Sequence, residues 1–367
     1  MNEEKFNSGY EDDGFSGTER IRRSRNDRQR KKQIEHRERF APKEYDTTKP
    51  RDLKKARILR TEGAYLIAET ESGELLRTRT VKSTVSGNVA ASLVAVGDKV
   101  LIEQTDVDIP VIREVLPRIS KLSRRAHTRR DQFEQVIAAN IDIAAIVMSA
   151  LEPPFRTGII DRYILAALEG KLKAVIILNK SDQLEKDERA PFIEEALAYY
   201  KSIGYSHIKT SVVSEEGIAE LKDLISAKTI VFAGKSGVGK SSLVNTLVGQ
   251  EIARTQSLMK KGQRGMHTTT TASMISLPDH SGYIIDTPGI KEFFHFDLEP
   301  DQIRFHFVEF QPLQEHCDMT NCLHIHEPGC AVAEAVDEGI IPEWRYNSYL
   351  AFWEEAERER KARIGGI

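Results

Sequence analysis

The sequence has few cysteines, no long apolar run and little net charge. Three cysteines among 367 residues, an odd number, argue against the disulfide framework of a small secreted domain. No segment approaches the roughly 20 consecutive apolar residues that a membrane-spanning helix needs, so no membrane partner is expected. A net charge of −3 provides no overall basicity that would indicate a nucleic-acid partner.

The N-terminal segment lacks targeting features but has an uneven charge distribution. It begins MNEEKFNSGYEDDGF, which has no apolar core and many acids, so neither a secretory signal nor a transit peptide is expected. A cytoplasmic location follows as the expectation. Residues 21–40 hold nine bases and three acids, a block typical of a solvated arm. An arm that contacts phosphate backbones is the alternative. We assign residues 1–55 to a disordered basic arm and linker.

Residues 56–118 are predicted to form a small domain of short strands. The segments ARILRT, AYLIAET, ELLRTRT, DKVLIEQ and VIREVLP are separated by turn signals such as ESGE and VGD. Five short strands at this spacing predict a closed β-barrel, of which the oligonucleotide-binding (OB) type is one candidate. Because such barrels also occur as spacers and protein-docking modules, the barrel alone does not fix a function.

Residues 122–296 are predicted to form an α/β domain, because strands there alternate with helices. IDIAAIVMSA and KAVIILNK are continuous apolar runs, as expected for strands that are buried on both faces. TGIIDRYILAALEGK lies between them and is predicted to be a crossover helix. The alternation indicates a mostly parallel sheet that is covered by helices.

A glycine-rich loop between an apolar strand and a helix predicts a nucleotide-phosphate site. The stretch TIVFAGKSGVGKSSLVNTLVG contains strand, loop and amphipathic helix in that order. Backbone N–H groups of such a loop point at phosphate oxygens, and the helix dipole adds to the attraction. Lys240 is expected to reach the β- and γ-phosphates, and the Ser241 hydroxyl to bind Mg²⁺. The predicted phosphate-binding residues are Gly234, Lys235, Ser236, Gly237, Val238, Gly239, Lys240, Ser241 and Ser242.

Two segments downstream of this loop are expected to complete the phosphate site. In GYIIDTPGI, Asp286 follows an apolar strand and is predicted to hold Mg²⁺, while the Gly289 N–H senses the γ-phosphate. The intervening stretch GQRGMHTTTTAS is polar and rich in hydroxyls, which suits a switch loop. Thr269 is the predicted second Mg²⁺ hydroxyl, with Thr268 or Thr270 as alternatives.

The position after Gly289 holds Ile290, where a water-orienting glutamine often stands. An isoleucine cannot orient water, so we expect slow intrinsic hydrolysis unless another group substitutes. His267 can hydrogen-bond water at neutral pH and is the candidate. A histidine that only packs or caps the loop is the alternative.

The stretch ILNKSD predicts recognition of guanine. The Asp182 carboxylate can accept from both guanine N1–H and the exocyclic N2 amine, a donor pair that adenine does not offer. Asn179, Lys180 and Ser181 complete the motif, and the later turn IKTSVV could bring Ser211 against the base. By itself the motif is short, and such a segment is often only a helix N-cap.

Along the chain, the guanine-recognition motif NKSD comes first and the turn IKTSVV second. The phosphate loop, the predicted switch loop and Asp286 follow in that order. A GTPase normally begins with the phosphate loop, so this order is a cyclic shift in which every motif keeps its neighbours. The termini of a doubly wound domain lie at its surface, and cutting and rejoining the chain there preserves the site. A circular permutation therefore explains both motifs.

The three cysteines lie within fourteen residues, in CDMTNCLHIHEPGC. Cys317, Cys322, His324 and Cys330 offer three thiolates and one imidazole, a closed tetrahedral set suited to structural Zn²⁺. On spacing alone, His326 is an alternative to His324. We assign residues 297–367 to a mainly helical zinc-binding domain.

Together these motifs resemble the circularly permuted GTPase family that depends on the small ribosomal subunit and acts late in its maturation. The resemblance covers roughly residues 56–360 and rests on the barrel, AANID, NKSD, GKSGVGKSS, MHTTT, DTPG and the cysteine cluster. It implies three parts: an OB-like barrel, a permuted GTPase domain with a phosphate loop, and a helical zinc domain.

The resemblance also implies an activity and partners. The chain is expected to bind GTP or GDP with Mg²⁺ and one structural Zn²⁺, and to act as a monomer on the small ribosomal subunit and its rRNA. Low activity stimulated by that subunit is implied, in agreement with the expectation from Ile290. The family pattern favours His324 as zinc ligand and gives His267 a catalytic role beside Lys240 and Thr269.

Overall fold

The computed structural model describes residues 53–80, 94–104, 109–127, 132–186, 188–249, 272–277, 282–286 and 298–364. Most of the predicted basic arm, the loop with His267 and Thr269, and Gly289 lie outside these ranges. The described residues belong to one compact unit, Asp52–Ile367. None of its described helices is both long enough and apolar enough to cross a membrane.

Five strands close into a barrel near the N-terminus. They are β1 (Leu53–Glu62), β2 (Tyr65–Thr70), β3 (Leu75–Thr80), β4 (Lys99–Glu103) and β5 (Val111–Val115). β1 pairs with both β2 and β4, β2 pairs with β3, and β5 closes the ring between β3 and β4. Apolar side chains such as Ile58, Ile102 and Ile112 fill the interior. The predicted five-stranded barrel is confirmed.

A hairpin connects the barrel to the α/β region. Its strands, β6 (Lys121–His127) and β7 (Gln132–Ala139), form a separate antiparallel sheet. The Ala139 N–H donates to Val96 O at 2.8 Å, which ties the hairpin to the segment before β4. The sequence analysis did not predict this hairpin.

The α/β region has the alternation that the apolar runs predicted. Its strands are β8 (Ile143–Ser149), β9 (Lys173–Asn179), β10 (His207–Thr210), β11 (Lys228–Ala233), β12 (Ser273–Ser276) and β13 (Gly282–Asp286). Their order in the sheet is β10-β9-β8-β11-β13-β12, and all neighbours are parallel except β12 and β13. The helices are α1 (Thr157–Glu169), α2 (Ala190–Ser202), α3 (Ile218–Ile225) and α4 (Lys240–Val248). Separate apolar clusters bury the two faces of the sheet.

The C-terminal region is mainly helical. It contains the 3₁₀ segments Pro300–His306 and Val308–Phe310, then α5 (Gln311–Gln314), α6 (Ala331–Asp337) and α7 (Glu343–Ile364). Its core is aromatic, with Phe307 and Phe310 stacked at 5.2 Å between ring centroids. Tyr349 contacts both rings edge-on.

The barrel and the α/β sheet are hydrogen-bonded to each other. Arg60 of β1 is the register partner of Ser273 in β12, which makes a continuous sheet of eleven strands. Beside this pair, Arg57 Nη1 donates to Thr229 Oγ1 at 3.1 Å, and its guanidinium lies 4.7 Å from the Tyr283 ring centroid. The barrel therefore contacts β11, β12 and β13, and β12 directly follows the predicted switch loop.

Candidate nucleotide site and metal centre

The predicted nucleotide-binding segments converge at one edge of the parallel sheet. Ser149 at the end of β8 is the register partner of Asn179 at the end of β9, and β11 lies beside β8. Asp286 ends β13, which pairs with the other side of β11. Ligands of open α/β sheets bind at this carboxyl edge, so the fold places these motifs where a nucleotide site is expected.

The phosphate loop runs from the end of β11 into the first turn of α4. Gly234 and Gly239 have φ values of +147° and +93°, and a Cβ at either would overlap Val147 O or Asn179 Nδ2, respectively. Only glycine therefore fits these two positions. Lys240 begins α4, and its Nζ donates to Gly234 O at 2.7 Å and to Lys235 O at 2.8 Å. The Lys240 amine therefore lies against the backbone of the loop at which it is predicted to bind phosphate.

The remaining loop residues have the exposure that a phosphate site needs. Val238 is fully buried and anchors the loop in the core below α4. Its neighbours Lys235, Ser236 and Gly237 are exposed, as are Ser241 and Ser242 in the first helical turn. Backbone N–H groups at the start of a helix have no intrahelical acceptor and attract anions.

Asn179 joins the base-reading motif to the phosphate loop. Its Nδ2 donates to Val238 O at 2.8 Å, and its Oδ1 accepts from Thr210 Oγ1 at 3.1 Å. The side chain is 2% exposed, so both bonds are protected from water. Removal of this amide would leave two buried polar groups without a partner.

The next three residues of the motif have different environments. Lys180 has a left-handed backbone with φ +59°, and its Nζ donates to Glu152 O at 2.6 Å. Ser181 Oγ donates to Glu216 Oε2 at 2.6 Å. Asp182 is exposed at the start of a 3₁₀ segment, Ser181–Lys186, where its carboxylate is available to a ligand.

Ser211 organises the turn after β10. It is fully buried, and its Oγ accepts from the N–H groups of Val213 and Ser214, both at 3.1 Å. Because this hydroxyl folds its own turn, the contribution of Ser211 to the base site is structural in this arrangement. Contact between the turn and guanine stays a prediction.

Asp286 is half-buried at the end of β13, where it is the register partner of Ser273. The neighbouring strand β11 leads through the phosphate loop into α4, whose first turn carries Ser241, so the two predicted Mg²⁺ ligands follow from adjacent strands of the sheet. Gly289, Thr269 and His267 are outside the described residues, and their roles stay predictions.

The metal-binding candidates of the C-terminal region form a compact cluster. One donor atom from each of Cys317, Cys322, His324 and Cys330 lies within 4.8 Å of all the others. His324 Nδ1 is 3.6 Å from Cys317 Sγ and 3.4 Å from Cys330 Sγ. Tetrahedral zinc, with bonds of about 2.0–2.3 Å, requires ligand separations of about 3.3–3.8 Å. The donor set therefore fits zinc, whereas His326 is exposed and outside the cluster.

Burial determines how the side chains of this cluster are protonated. Burial raises the pKa of Cys322 to about 12 and also raises that of Cys330, whereas it lowers the pKa of His324. Without a cation both thiols would be protonated at neutral pH. Zinc binds thiolates and neutral imidazole, so its binding would displace the protons of these two thiols.

The sequence analysis did not assign a role to several residues that support the base-reading motif. Glu152 and Glu216 support the base-reading motif, and Thr210 holds the Asn179 amide. Each lies outside the motif and at least 28 residues from its partner in the chain. Local patterns do not report such contacts, because they arise only when the strands assemble.

Comparison with known proteins gives consistent matches. The sequence model of the RsgA GTPase family matches residues 115–296. The small ribosomal subunit biogenesis GTPase RsgA of Chlorobaculum parvum is 42% identical over 301 residues, which span 80% of this chain and 95% of the relative. YjeQ from Thermotoga maritima has a similar structure, with a TM-score of 0.66 and 30% identity over 83% of this chain and 98% of that one. YloQ, a circularly permuted GTPase, has a TM-score of 0.65 over 86% and 99% of the chains, and at 23% identity it supports the fold alone.

The strand order, with the base-reading β9 before the phosphate-loop strand β11 in the chain, defines a circularly permuted GTPase. The predicted architecture is confirmed: an OB-like barrel, a permuted α/β domain, and a helical region with a cluster that fits zinc. The chain belongs to the RsgA GTPase family, as its relatives and the family match establish. It is therefore a GTPase, and the resemblance inferred from its motifs is correct.

Proposed function

We propose that this chain hydrolyses GTP during late maturation of the small ribosomal subunit, is stimulated by that subunit, and binds its rRNA in the GTP-bound state. The observation that carries the proposal is the 2.8 Å hydrogen bond from Asn179 Nδ2 to Val238 O. It joins the base-reading motif to the phosphate loop, so that one nucleotide can span both. The relative from Chlorobaculum parvum, a small ribosomal subunit biogenesis GTPase, supports the biological context.

The residues divide the chemistry between base and phosphates. Asp182 reads guanine, and Lys240 with the loop N–H groups stabilises negative charge on the phosphates. Ser241, Thr269 and Asp286 would hold Mg²⁺, which supplies further charge stabilisation when phosphate is transferred to water. His267 would orient that water, because Ile290 cannot.

The three parts of the chain have separate tasks in this proposal. The GTPase domain, residues 122–296, is flanked by the barrel, residues 56–118, and by the zinc domain, residues 297–367. Both flanking domains contact rRNA. Cys317, Cys322, His324 and Cys330 hold a zinc ion that stabilises the last domain. The chain acts as a monomer in the cytoplasm, where it meets assembling subunits.

A second candidate is an RNA-binding module whose affinity is gated by nucleotide, with negligible turnover. Ile290 favours it, since a switch without a water-orienting side chain hydrolyses GTP slowly. Both candidates use the same nucleotide site, and they differ in whether the bound subunit accelerates the chemical step.

Steady-state hydrolysis of GTP, with ATP as the nucleotide control, separates the candidates. It is measured with purified small subunits and, as a matched control, with purified large subunits. We expect acceleration by at least about tenfold with GTP and small subunits only, a change of about 1.4 kcal/mol in the barrier. Unchanged turnover together with GTP-dependent subunit binding would replace the proposal by the gated module.

A further inference from the structure

A side-chain hydrogen bond joins the two segments that carry the base-reading residues. Ser181 Oγ, from the segment after β9, donates to Glu216 Oε2, in the turn after β10, at 2.6 Å. Ser181 is 8% exposed and directly precedes Asp182 in the chain. We propose that Glu216 is a positioning residue that fixes the Asp182 segment and so sharpens the recognition of guanine. This inference rests on the proposed function.

The backbone around Glu216 is held on both sides. The Ser211 N–H donates to Glu216 O at 3.0 Å, which closes the turn that the Ser211 hydroxyl also folds. The following residue, Gly217, has φ +67°, and a Cβ there would overlap Lys209 O. The carboxylate of Glu216 is therefore presented from a defined turn, even though the residue itself is exposed.

The motif residues before Asp182 are anchored to three different segments. Asn179 binds the phosphate loop through Val238 O, and Lys180 binds the turn after β8 through Glu152 O. Ser181, through Glu216, is the third anchor and the one nearest to Asp182. Because ligand discrimination depends on correct placement of the reading group, loss of the nearest anchor should affect base recognition first.

The base itself provides a readout that a general loss of stability does not change. The Asp182 carboxylate accepts from N1–H and from the N2 amine of guanine, whereas hypoxanthine lacks the N2 amine. The ratio of the dissociation constants for IDP and GDP therefore measures how well Asp182 is placed. A defect confined to folding would change both constants by the same factor.

The test is competition of GDP and IDP against a fluorescent GDP analogue on the full-length chain. For Glu216→Ala we expect the Kd for GDP to rise about three- to tenfold, the range that corresponds to the net contribution of one typical hydrogen bond. The Kd for IDP should rise less, so the ratio of the Kd for IDP to the Kd for GDP should fall. Glu216→Gln keeps a carbonyl acceptor and should restore most of the discrimination. Glu220→Ala, which removes a carboxylate from the first turn of α3, is the matched control.

Ser181→Ala tests whether the effect passes through the observed bond. In that background Glu216→Ala should produce no further loss, because the interaction is already absent. Equal changes for GDP and IDP, no change for either, or a full effect of Glu216→Ala in the Ser181→Ala background would overturn the inference.

Asp182→Asn separates this inference from the proposed function. If Asp182→Asn leaves the IDP-to-GDP ratio unchanged, Asp182 does not read the base, and the proposed site itself is wrong. If Asp182→Asn abolishes discrimination while Glu216→Ala preserves it, only the role of Glu216 is wrong. Thermal melting of each variant verifies that it is folded.

Discussion

Arg345 and Asp161 form an ion pair with 2.6 Å between Nη1 and Oδ1, and their side chains are 1% and 0% exposed. Arg345 lies on α7 and Asp161 on α1, so the pair joins the C-terminal region to the α/β domain. Arg345 Nε also donates to Glu309 at 2.6 Å, and the Tyr200 hydroxyl donates to Asp161 Oδ1 at 2.5 Å. Within such a buried network each charge depends on the others.

Substitution of Arg345 should therefore be severe. Arg345→Met leaves two acids without their buried counter-ion and should lower the free energy of unfolding by about 3–5 kcal/mol. Urea denaturation followed by circular dichroism measures the change. Arg358→Met, at an exposed position of the same helix, is the control and should stay within about 0.5 kcal/mol of the wild type. Similar midpoints for the two variants would contradict the importance of the network.

The cysteine cluster predicts one zinc ion per chain. Mass spectrometry of the metal content should find stoichiometric zinc in the wild type and in His326→Ala, because His326 lies outside the cluster. His324→Ala and Cys330→Ser should lose the metal and melt at lower temperature, since structural zinc contributes directly to folding. Full zinc content in His324→Ala would require a different ligand set.

Glu327 predicts a specific dependence of stability on pH. Burial alone would raise its pKa, but backbone N–H donors, including those of Leu323, Ile325 and His326, lower the pKa to about 2. A carboxyl whose pKa is depressed on folding stabilises fully above its unfolded-state pKa of about 4.3, and this contribution is lost as the pH falls toward about 2.

The matching experiment compares unfolding of the wild type and Glu327→Gln between pH 2 and 7, a range set by these two pKa values. The difference in unfolding free energy should be largest near neutral pH and shrink below about pH 5. Because Glu327 accepts from the N–H groups on both sides of His324, the metal content of both proteins is measured at each pH, and only values at equal metal content are compared. Glu315→Gln, at an exposed position of the same region, should follow the wild type. A constant difference across the range would refute the assignment.

Gly239 and Gly249 form a matched pair for testing the phosphate loop. Both have positive φ, +93° and +82°, but a Cβ would overlap Asn179 Nδ2 only at Gly239 and has no neighbour within 4 Å at Gly249. Gly239→Ala should weaken GDP binding at least about tenfold through backbone strain and displacement of the Asn179 amide. Gly249→Ala should affect stability more than affinity. Fluorescence titration measures the affinity of each variant for GDP. Equal affinities of Gly239→Ala and Gly249→Ala would argue against the Asn179 contact.

Much of the fold was predictable because local chemistry specifies it. The apolar runs before Asn179 and Gly234 identified buried strands, and the glycines after the second run require a loop that accommodates positive φ. The clustered cysteines likewise predicted a metal centre. In each case the signal lies within about twenty residues and reflects backbone geometry or ligand chemistry.

The contacts between segments that are distant in the chain were not predictable in this way. The Ser181–Glu216 bond spans 35 residues and the Arg345–Asp161 pair spans 184. Glutamate in a turn and arginine in a helix are common on solvated surfaces, so the sequence around Glu216 or Arg345 does not indicate a buried partner. Only the strand order places them beside their partners.

The pairing of β1 with β12 also bears on solubility. The last strand of an open sheet exposes unpaired N–H and C=O groups that can recruit a strand from another molecule. Here the barrel covers the β12 edge, with Arg60 opposite Ser273. At the opposite edge, β10 is only four residues long and carries Lys209. A short, charged border of this kind resists edge-to-edge aggregation, so both ends of the sheet are protected in the part of the chain that the structure describes.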